Sequence, residues 1–405
     1  MSLWNLLAVV ITLSGIFGYL NYRFFGLPQT IGVMLVALLA SIALIAADAL
    51  GMPLRAHAGS VLENIHFEQT LMLGMIGYLL FAGALHIELG ELAEQSIVVA
   101  VLATLGVVTS TFLVGALTYG IFHALGIEID WIHALLFGAL ISPTDPIAVL
   151  GILKISGVPK SLEVTVVGES LFNDGIGVVV FLTLLEIATG TAPTPSGISL
   201  LLFKEAIGGA ALGLVLGWIT YRLLKTVDDY PLEILLTLAL VSGGYALAAA
   251  FHTSGLIAIA VAGLLIGNYG RQFAMSPNTR QHLDVFWEIV DQLLNVVLFV
   301  LIGLEVLNVP FSAANVVAAL GAIPLTLASR WLTVRTAFLV LRPKRLPEDS
   351  VAVLTWGGLR GGVSIALALS LPEDAFRPLL IAVTYAVVVF SLLVQGTTLA
   401  RLVRR

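Results

Sequence analysis

The stretch Ser161–Ala188 reads SLEVTVVGESLFNDGIGVVVFLTLLEIA, an apolar run with two carboxylates, Glu169 and Asp174, near its centre. It is longer than the roughly 20 residues that an α-helix needs to cross the hydrocarbon core of a bilayer. A charge at that depth costs between about 3 and 15 kcal/mol unless it is paired or hydrated. The stretch therefore predicts a transmembrane helix whose carboxylates either bind an ion or lock helices together in buried ion pairs.

The rest of the chain has the same apolar character from end to end. Of its 405 residues 59% are hydrophobic and only 11% are charged, whereas a soluble domain carries roughly 25% charged residues. This composition predicts an all-α, polytopic membrane protein and excludes a water-soluble globular domain. Because the sequence has no cysteine, disulfides and thiolate metal sites are excluded as well.

About thirteen transmembrane helices are predicted, at a spacing of ~20 residues or more each. The pair of spans on either side of Phe251 is the least distinct, since one merged helix also fits the pattern there. The spans are Trp4–Asn21, Gln29–Asp48, Phe67–Ile87, Ile97–His123, Ile132–Leu153, Ser161–Ala188, Leu200–Leu224, Leu232–Phe251, Leu256–Tyr269, Val285–Leu307, Ala313–Leu341, Ser350–Leu371 and Arg377–Val403.

The lysines and arginines of the loops predict the orientation, since cytoplasmic loops carry an excess of both. If the C-terminus is cytoplasmic, one side holds Arg23, Lys154, Lys160, Arg222, Lys225, Arg271, Arg280, Arg342, Lys344, Arg345, Arg401, Arg404 and Arg405. The other side keeps Arg55, Lys204 and Arg377. We therefore expect a multi-pass protein of the cell (inner) membrane, with the N-terminus outside and the C-terminus cytoplasmic. Residues 1–405 are expected to form a single membrane domain without a cytoplasmic tail domain.

Two of the predicted spans are interrupted by residues that break helices. Ser142–Pro146 interrupts the fifth span with two prolines, and Gly357–Ser364 interrupts the twelfth with four glycines. Prolines remove backbone donors and free carbonyl oxygens, and unwound backbone is tolerated in a membrane only where it is buried or lines a cavity. Paired interrupted helices at corresponding positions indicate the inverted repeats and the central site of a transporter.

The sixth span places polar groups on two neighbouring stripes of its helix. Ser170 and Asp174 lie four residues apart and share one face, while Glu169 and Asn173 share the next. A hard cation such as Na⁺ takes oxygen ligands from a carboxylate and a hydroxyl, and the same carboxylate can hold a proton instead. This dual use of Asp174 is the chemistry of cation–proton exchange.

Other polar residues in the interrupted spans add candidates. Thr144 and the carbonyls freed by the prolines are candidate cation ligands. Asp145 is either a ligand or, in the favoured interpretation, a charge that compensates a helix N-terminus. Arg330 has no carboxylate within helical reach in its own span, so its partner must come from another span. Glu169 lies at a similar depth and also needs a partner. Arg360 is expected to neutralise half-helix C-termini.

Three segments together resemble the signature segments of the sodium/proton exchangers of the NhaP/NHE type. They are Ser142–Asp145, Gly168–Asp174 and Gly357–Gly362, in matching order and spacing. The resemblance implies inverted repeats with two crossed interrupted helices. It also implies a homodimer, with a core domain over about residues 97–188 and 313–403 and a dimerisation domain over about residues 4–87 and 200–307.

The resemblance further implies roles for individual residues. It implies that Asp174 carries both the ion and the proton and that Thr144 and Ser170 complete the Na⁺ site. It also implies that Glu169 pairs with Arg330, and Arg360 is the alternative partner of Glu169. Asn173 belongs to the same cation-binding set, and its amide cannot carry a second transported proton. One carboxylate then exchanges one cation for one proton without net charge movement, unless Asp145 carries a second proton.

Alternatives to Na⁺/H⁺ exchange remain at this point. Oxygen ligands do not fix ion size, so a K⁺/H⁺ or broad monovalent-cation exchanger also fits, and a passive channel is a further alternative. An intramembrane enzyme is not expected, since the seven histidines are scattered and no nucleophile–base or metal constellation is present. No cofactor is expected beyond the transported Na⁺ and H⁺. The expected partners are these ions, the lipid bilayer and a second copy of the chain, and no nucleic acid.

Overall fold

The computed structural model describes residues 3–51, 70–146, 149–150, 157–190, 203–309, 312–343, 345–347 and 349–403, with the single residues 59, 67 and 153. Within these ranges all regular structure is helical. Among the basic residues used to predict the orientation, Arg55, Lys154, Lys344, Arg404 and Arg405 lie outside the described residues.

Fourteen helices account for nearly all the described regular structure. They fit the thirteen predicted spans when the short helices Ser350–Trp356 and Gly362–Leu369 are counted as the two halves of the twelfth span. Ten are long and apolar enough to cross a membrane, and Thr70–Leu85 and Trp131–Ile141 are shorter apolar helices. The bounds are α1 (Trp4–Phe25), α2 (Gln29–Ala49), α3 (Thr70–Leu85), α4 (Leu89–Ala124), α5 (Trp131–Ile141), α6 (Lys160–Ala188), α7 (Lys204–Leu224), α8 (Tyr230–Ala250), α9 (Gly255–Phe273), α10 (Pro277–Glu305), α11 (Ala313–Leu341), α12 (Ser350–Trp356), α13 (Gly362–Leu369) and α14 (Arg377–Val403).

Helices α8 and α9, the least distinct pair in the sequence, are two separate helices. The chain turns at His252, whose φ of 53° is left-handed. Ser254 then begins α9 by accepting a hydrogen bond from the backbone N–H of Ile257 at 3.3 Å. A serine at this position supplies an acceptor to a donor that has no partner within the helix, which fixes the break.

Both interrupted spans are broken where the sequence predicts. Helix α5 ends at Ile141, residues 142–146 are not helical, and residues 149 and 150 are helical again. The second break is shorter than predicted, because α12 ends at Trp356 and α13 already begins at Gly362. Glycine permits the unwound turn, but from Gly362 onward the residues follow helical geometry.

The two unwound segments touch each other at the centre of the fold. The backbone N–H of Asp145 donates to the carbonyl oxygen of Leu359 at 2.7 Å, and α13 also packs against α5. The crossing of two interrupted helices is therefore confirmed, whereas the inverted-repeat symmetry stays a prediction.

The helices pack in two groups with a seam between them. The α6 group consists of α4, α5, α6, α11, α12, α13 and α14, and the α10 group consists of α1, α2, α3, α7, α8, α9 and α10. Contacts across the seam join α6 to α3, α7 and α9, join α13 to α3 and α10, and join α2 to α14. The assignment of a core domain and a dimerisation domain to such parts of the chain stays a prediction.

Candidate functional site

A cavity of about 640 Å³ lies along the seam between the α6 group and the α10 group. On α6 its lining begins at Lys160, continues through Glu163 and Ser170, and ends at Asp174, although the helix itself runs on to Ala188. Thr144 and Asp145 line it from the first unwound segment. The cavity thus leads from the end of the molecule where α6 begins to Asp174.

Asp174 is the carboxylate at the inner end of this cavity. Its residue is 9% exposed. Among the residues that the structure describes, no basic side chain forms an ion pair with it. A buried charged carboxylate without a counter-ion is costly, so this position favours a bound cation or a proton.

Beside Asp174, hydroxyl and amide groups from the first unwound segment and α6 form a small network. Thr144 Oγ1 lies 3.0 Å from Ser170 Oγ. Asn173 Nδ2 donates to Thr144 Oγ1 at 2.8 Å, and the backbone N–H of Thr144 donates to Asn173 Oδ1 at 3.3 Å. Asn173 therefore positions Thr144 by two hydrogen bonds, and both of its polar atoms are used within the protein. The structure brings Thr144, Ser170 and Asn173 into direct contact, on the cavity that Asp174 also lines.

The two unwound segments compensate the ends of each other's half-helices. The guanidinium of Arg360 donates through Nη1 to the carbonyl oxygens of Ser142 and Pro143, the latter at 2.9 Å. Those carbonyls end α5, where a positive charge is favourable. In the other direction Asp145 lies against Gly361, the residue before α13, where an added Cβ would meet Asp145 Oδ2 at 2.2 Å. Its carboxylate therefore lies at the positive N-terminal end of α13.

Glu169 is turned away from the cavity and pairs with Arg330. The guanidinium meets the carboxylate through two parallel contacts, one of them Nη2 to Oε2 at 2.9 Å. Arg330 also donates through Nε and Nη2 to the carbonyl oxygen of Leu354, at 3.2 and 3.1 Å. These two hydrogen bonds to Leu354, in the last turn of α12, were not predicted from the sequence, because no motif indicates which carbonyl oxygen a buried arginine contacts.

Two glycines on α6 let neighbouring elements approach the level of Asp174. At Gly177 an added Cβ would meet Cγ of Pro143 at 2.3 Å, and at Gly175 it would meet Cγ1 of Ile257, on α9, at 2.6 Å. Real Cβ atoms do not approach other atoms so closely. The packing of α6 on the first unwound segment and on α9 therefore requires glycine at both positions.

The wall opposite α6 holds polar residues that the sequence patterns did not single out as a site. Glu288, Gln292 and Asn295 of α10 line the cavity together with Asp291. The sequence feature that could have identified them is their spacing of four and three residues, which places them on one face of a long apolar helix.

The family model for the transmembrane sodium/hydrogen exchangers matches residues 8–405. The chain belongs to the sodium/hydrogen exchanger family. This establishes the resemblance drawn from the three signature segments and agrees with a many-pass membrane protein.

Individual members of the sodium/hydrogen exchanger family match over nearly the whole chain. A protein of Pseudomonas aeruginosa named Na⁺/H⁺ antiporter NhaP is 50% identical over 99% of this chain and 96% of its own length. The Na⁺/H⁺ antiporter NhaH of Halobacillus dabanensis is 39% identical over 84% of this chain and 83% of its own. The solved structure of the sodium proton antiporter MjNhaP1 from Methanocaldococcus jannaschii superposes with a TM-score of 0.74 at 20% identity, covering 98% of this chain and 96% of that one. That likeness establishes the fold.

Proposed function

We propose that this chain is a secondary-active antiporter that exchanges Na⁺ for H⁺ at Asp174. The observation that carries the proposal is a nearly buried carboxylate with no ion-pair partner among the described residues, at the inner end of a cavity between two helix groups. The relatives reported above are named for Na⁺/H⁺ antiport, which favours Na⁺ over the K⁺ alternative.

The site residues divide the work between binding and support. Na⁺ binds to the carboxylate of Asp174, with the hydroxyl oxygens of Ser170 and Thr144 as further ligands. Asn173 holds Thr144 in place through its two hydrogen bonds. A proton occupies the same carboxylate when Na⁺ leaves, so the two ions are bound alternately.

Alternating access follows from the position of the cavity. Asp174 and its ligands belong to the α6 group, and the facing wall belongs to the α10 group. A movement of the α6 group against the α10 group closes this access path and opens one at the other face of the membrane. The Arg360 and Asp145 contacts between the unwound segments keep the site intact during that movement.

The orientation and assembly are part of the same proposal. The basic loop residues favour a cytoplasmic C-terminus and an outside N-terminus, in the cell (inner) membrane. The open end of the cavity, beside Lys160, then faces the cytoplasm. The chain is proposed to act as a homodimer, and cross-linking of the purified protein in lipid, followed by mass determination, tests this.

Replacement of the carrier residue tests the proposed function. We expect Asp174→Asn to abolish Na⁺-dependent proton flux in proteoliposomes loaded with a pH dye, while the protein stays folded. The amide keeps the shape of the side chain and removes the charge that is costly to bury. The matched control is Asp130→Asn, an exposed acid next to α5, which should transport normally. Na⁺, Li⁺ and K⁺ are compared in the same assay, and near wild-type flux in Asp174→Asn overturns the proposal.

A further inference from the structure

Helix α10 presents a polar stripe to the cavity, facing α6. Glu288, Gln292 and Asn295 lie four and three residues apart and so share one face, with Asp291 beside them. Exposure falls along the stripe. Glu288 and Gln292 are exposed, Asp291 is half-buried, and Asn295 is 2% exposed. The polar stripe is thus acidic and exposed at one end and consists of a single buried amide at the other.

No hydrogen bond accounts for the burial of the Asn295 amide oxygen. Among the described residues none donates to its Oδ1, and this atom is covered by its neighbours, although the residue lines the cavity. Its neighbour along the chain is the buried Val296, and Leu298 lies one turn further on. A buried amide oxygen without a partner destabilises a fold, so a residue kept only for packing would be apolar here.

The depth of Asn295 places it close to the crossing of the interrupted helices. An added Cβ on Gly362 would meet Cδ1 of Leu298 at 2.6 Å, so α10 packs against the start of α13 one turn beyond Asn295. The neighbouring Gly361 is the residue against which Asp145 lies. The amide is therefore the last polar group on the α10 wall before that wall seals against the α6 group.

We propose that Asn295 is a further cation-binding residue on the access path. Rotation of its side chain brings the amide oxygen to the cavity, where the oxygen replaces a water molecule of the arriving Na⁺ before the ion reaches Asp174. The inference rests on the proposed function and deepens it. Glu288 and Asp291 raise the local concentration of cations at the mouth, and Asn295 lowers the cost of dehydration further in. Because the amide is neutral, it binds the ion weakly enough to release it, as a transport path requires.

The test compares Asn295→Leu with a matched buried amide elsewhere. Gln95 of α4 is 3% exposed, its Nε2 also lacks a partner among the described residues, and it does not line the cavity. Both variants are measured in right-side-out and everted membrane vesicles, with Na⁺ varied on one face at a time. We expect Asn295→Leu to raise the KM for Na⁺ about tenfold, the effect of losing one polar contact to a charge, with kcat within twofold. The rise is expected only from the face on which α6 begins, and Gln95→Leu leaves KM unchanged.

Further readouts separate a transport role from a structural one. Removal of an unpartnered oxygen should leave the Tm of Asn295→Leu equal to or above that of the wild type. Asn295→Asp, which adds a carboxylate, should lower the KM for Na⁺ from the same face and slow turnover. An unchanged KM in Asn295→Leu, or an equal rise from both faces, overturns the inference. Asp174→Asn is assayed in parallel. If it is inactive while Asn295→Leu matches the wild type, only the inference fails, whereas flux in Asp174→Asn removes the proposed function itself.

Discussion

At the scale of single residues, the central feature is one carboxylate that can bind either of two ions. Asp174 has no ion-pair partner among the described residues, and the hydroxyl groups of Ser170 and Thr144 lie beside one another on the same cavity. A proton and a Na⁺ therefore need the same carboxylate oxygens, and each excludes the other.

This exclusion predicts a pH-dependent affinity for Na⁺. As the pH falls, protons occupy Asp174 in a growing fraction of molecules, so the apparent KM for Na⁺ should rise while the maximal rate at saturating Na⁺ is retained. At alkaline pH the KM should level off at the value for the deprotonated site. Proton flux in proteoliposomes, measured over a grid of Na⁺ concentrations and pH values, checks this. A KM that stays flat from acid to alkaline pH contradicts single-site competition.

The Glu169–Arg330 pair predicts unequal costs for its two partners. Removal of either one leaves an uncompensated buried charge, at about 3–5 kcal/mol. Arg330→Met should cost more than Glu169→Gln, since it also removes the donors to the carbonyl oxygen of Leu354. The double variant should recover part of the loss, but not the share that belongs to Leu354.

Thermal unfolding of the four proteins in one detergent measures this double-mutant cycle. Arg271 and Asp284 form a part-exposed ion pair in the α10 group and provide the comparison, since exposed pairs contribute only about 0–1 kcal/mol. A cycle without coupling energy between Glu169 and Arg330 would mean that the ion pair does not contribute to stability.

At the scale of helices, each interrupted span is stabilised by a charged side chain of the other. Arg360 in the second break serves the carbonyls that end α5, and Asp145 in the first break lies at the start of α13. Half-helix ends at the centre of a membrane lack water, so a side chain must supply what solvent supplies elsewhere. Each break is stable because the other is present.

A second contact joins α5 to the part of the chain that follows α13, and it lies near the N-terminus of α5. His133 Nε2 lies 2.9 Å from Asp374 Oδ2, in the turn between α13 and α14. The backbone N–H groups of Phe376 and Arg377 donate to Asp374 Oδ1 at 2.9 and 2.8 Å. Partial burial by itself raises the pKa of the Asp374 carboxyl, but the hydrogen bonds from Arg377, His133 and Phe376 outweigh it and hold the pKa below its usual range.

This depressed pKa predicts the pH dependence of the contribution of Asp374. A carboxyl whose folded pKa is lowered stabilises the fold fully above the unfolded value of about 3.9, and that contribution is lost as the pH falls through the folded pKa. Asp374→Asn should therefore lower Tm at neutral pH, and the difference from the wild type should close in strong acid. The adjacent Glu373, whose side chain is 91% exposed, is the control, and Glu373→Gln should change Tm little. A Tm difference that stays constant into strong acid would contradict the assignment.

At the scale of the whole molecule, the lining of the cavity between the two helix groups determines how much charge one transport cycle moves. The lining of the cavity includes one buried carboxylate from α6, Asp174, and the adjacent Asn173 is an amide held by Thr144. If Asp174 alone carries ions, the loaded site bears the same charge in both directions of the cycle.

Electroneutral exchange is the resulting prediction. In proteoliposomes with a fixed pH gradient, the Na⁺ gradient that just stops net flux should be the same at every clamped membrane potential. Movement of one charge per cycle would be worth about 2.3 kcal/mol per 100 mV, which shifts the balance point measurably. A shift with voltage would mean two protons per Na⁺. The balance point would then be measured in Asp145→Asn, because Asp145 lines the same cavity.

The sequence by itself determined the membrane-spanning helices, the two breaks and the residues that had to be explained. These follow from the bilayer, which demands about 20 apolar residues per span and makes every buried charge or unwound turn costly. The resemblance of the three signature segments to the sodium/hydrogen exchangers also indicated Arg330 as the partner of Glu169.

Only the tertiary structure decided which groups meet. It assigned the amide of Asn173 to Thr144, the guanidinium of Arg360 to the carbonyls of Ser142 and Pro143, and the stripe ending at Asn295 to the wall that faces α6. These contacts join residues far apart in the chain, and helical periodicity fixes a face without fixing what that face meets. The meeting of faces is set by how the helices pack, which depends on all the helices together.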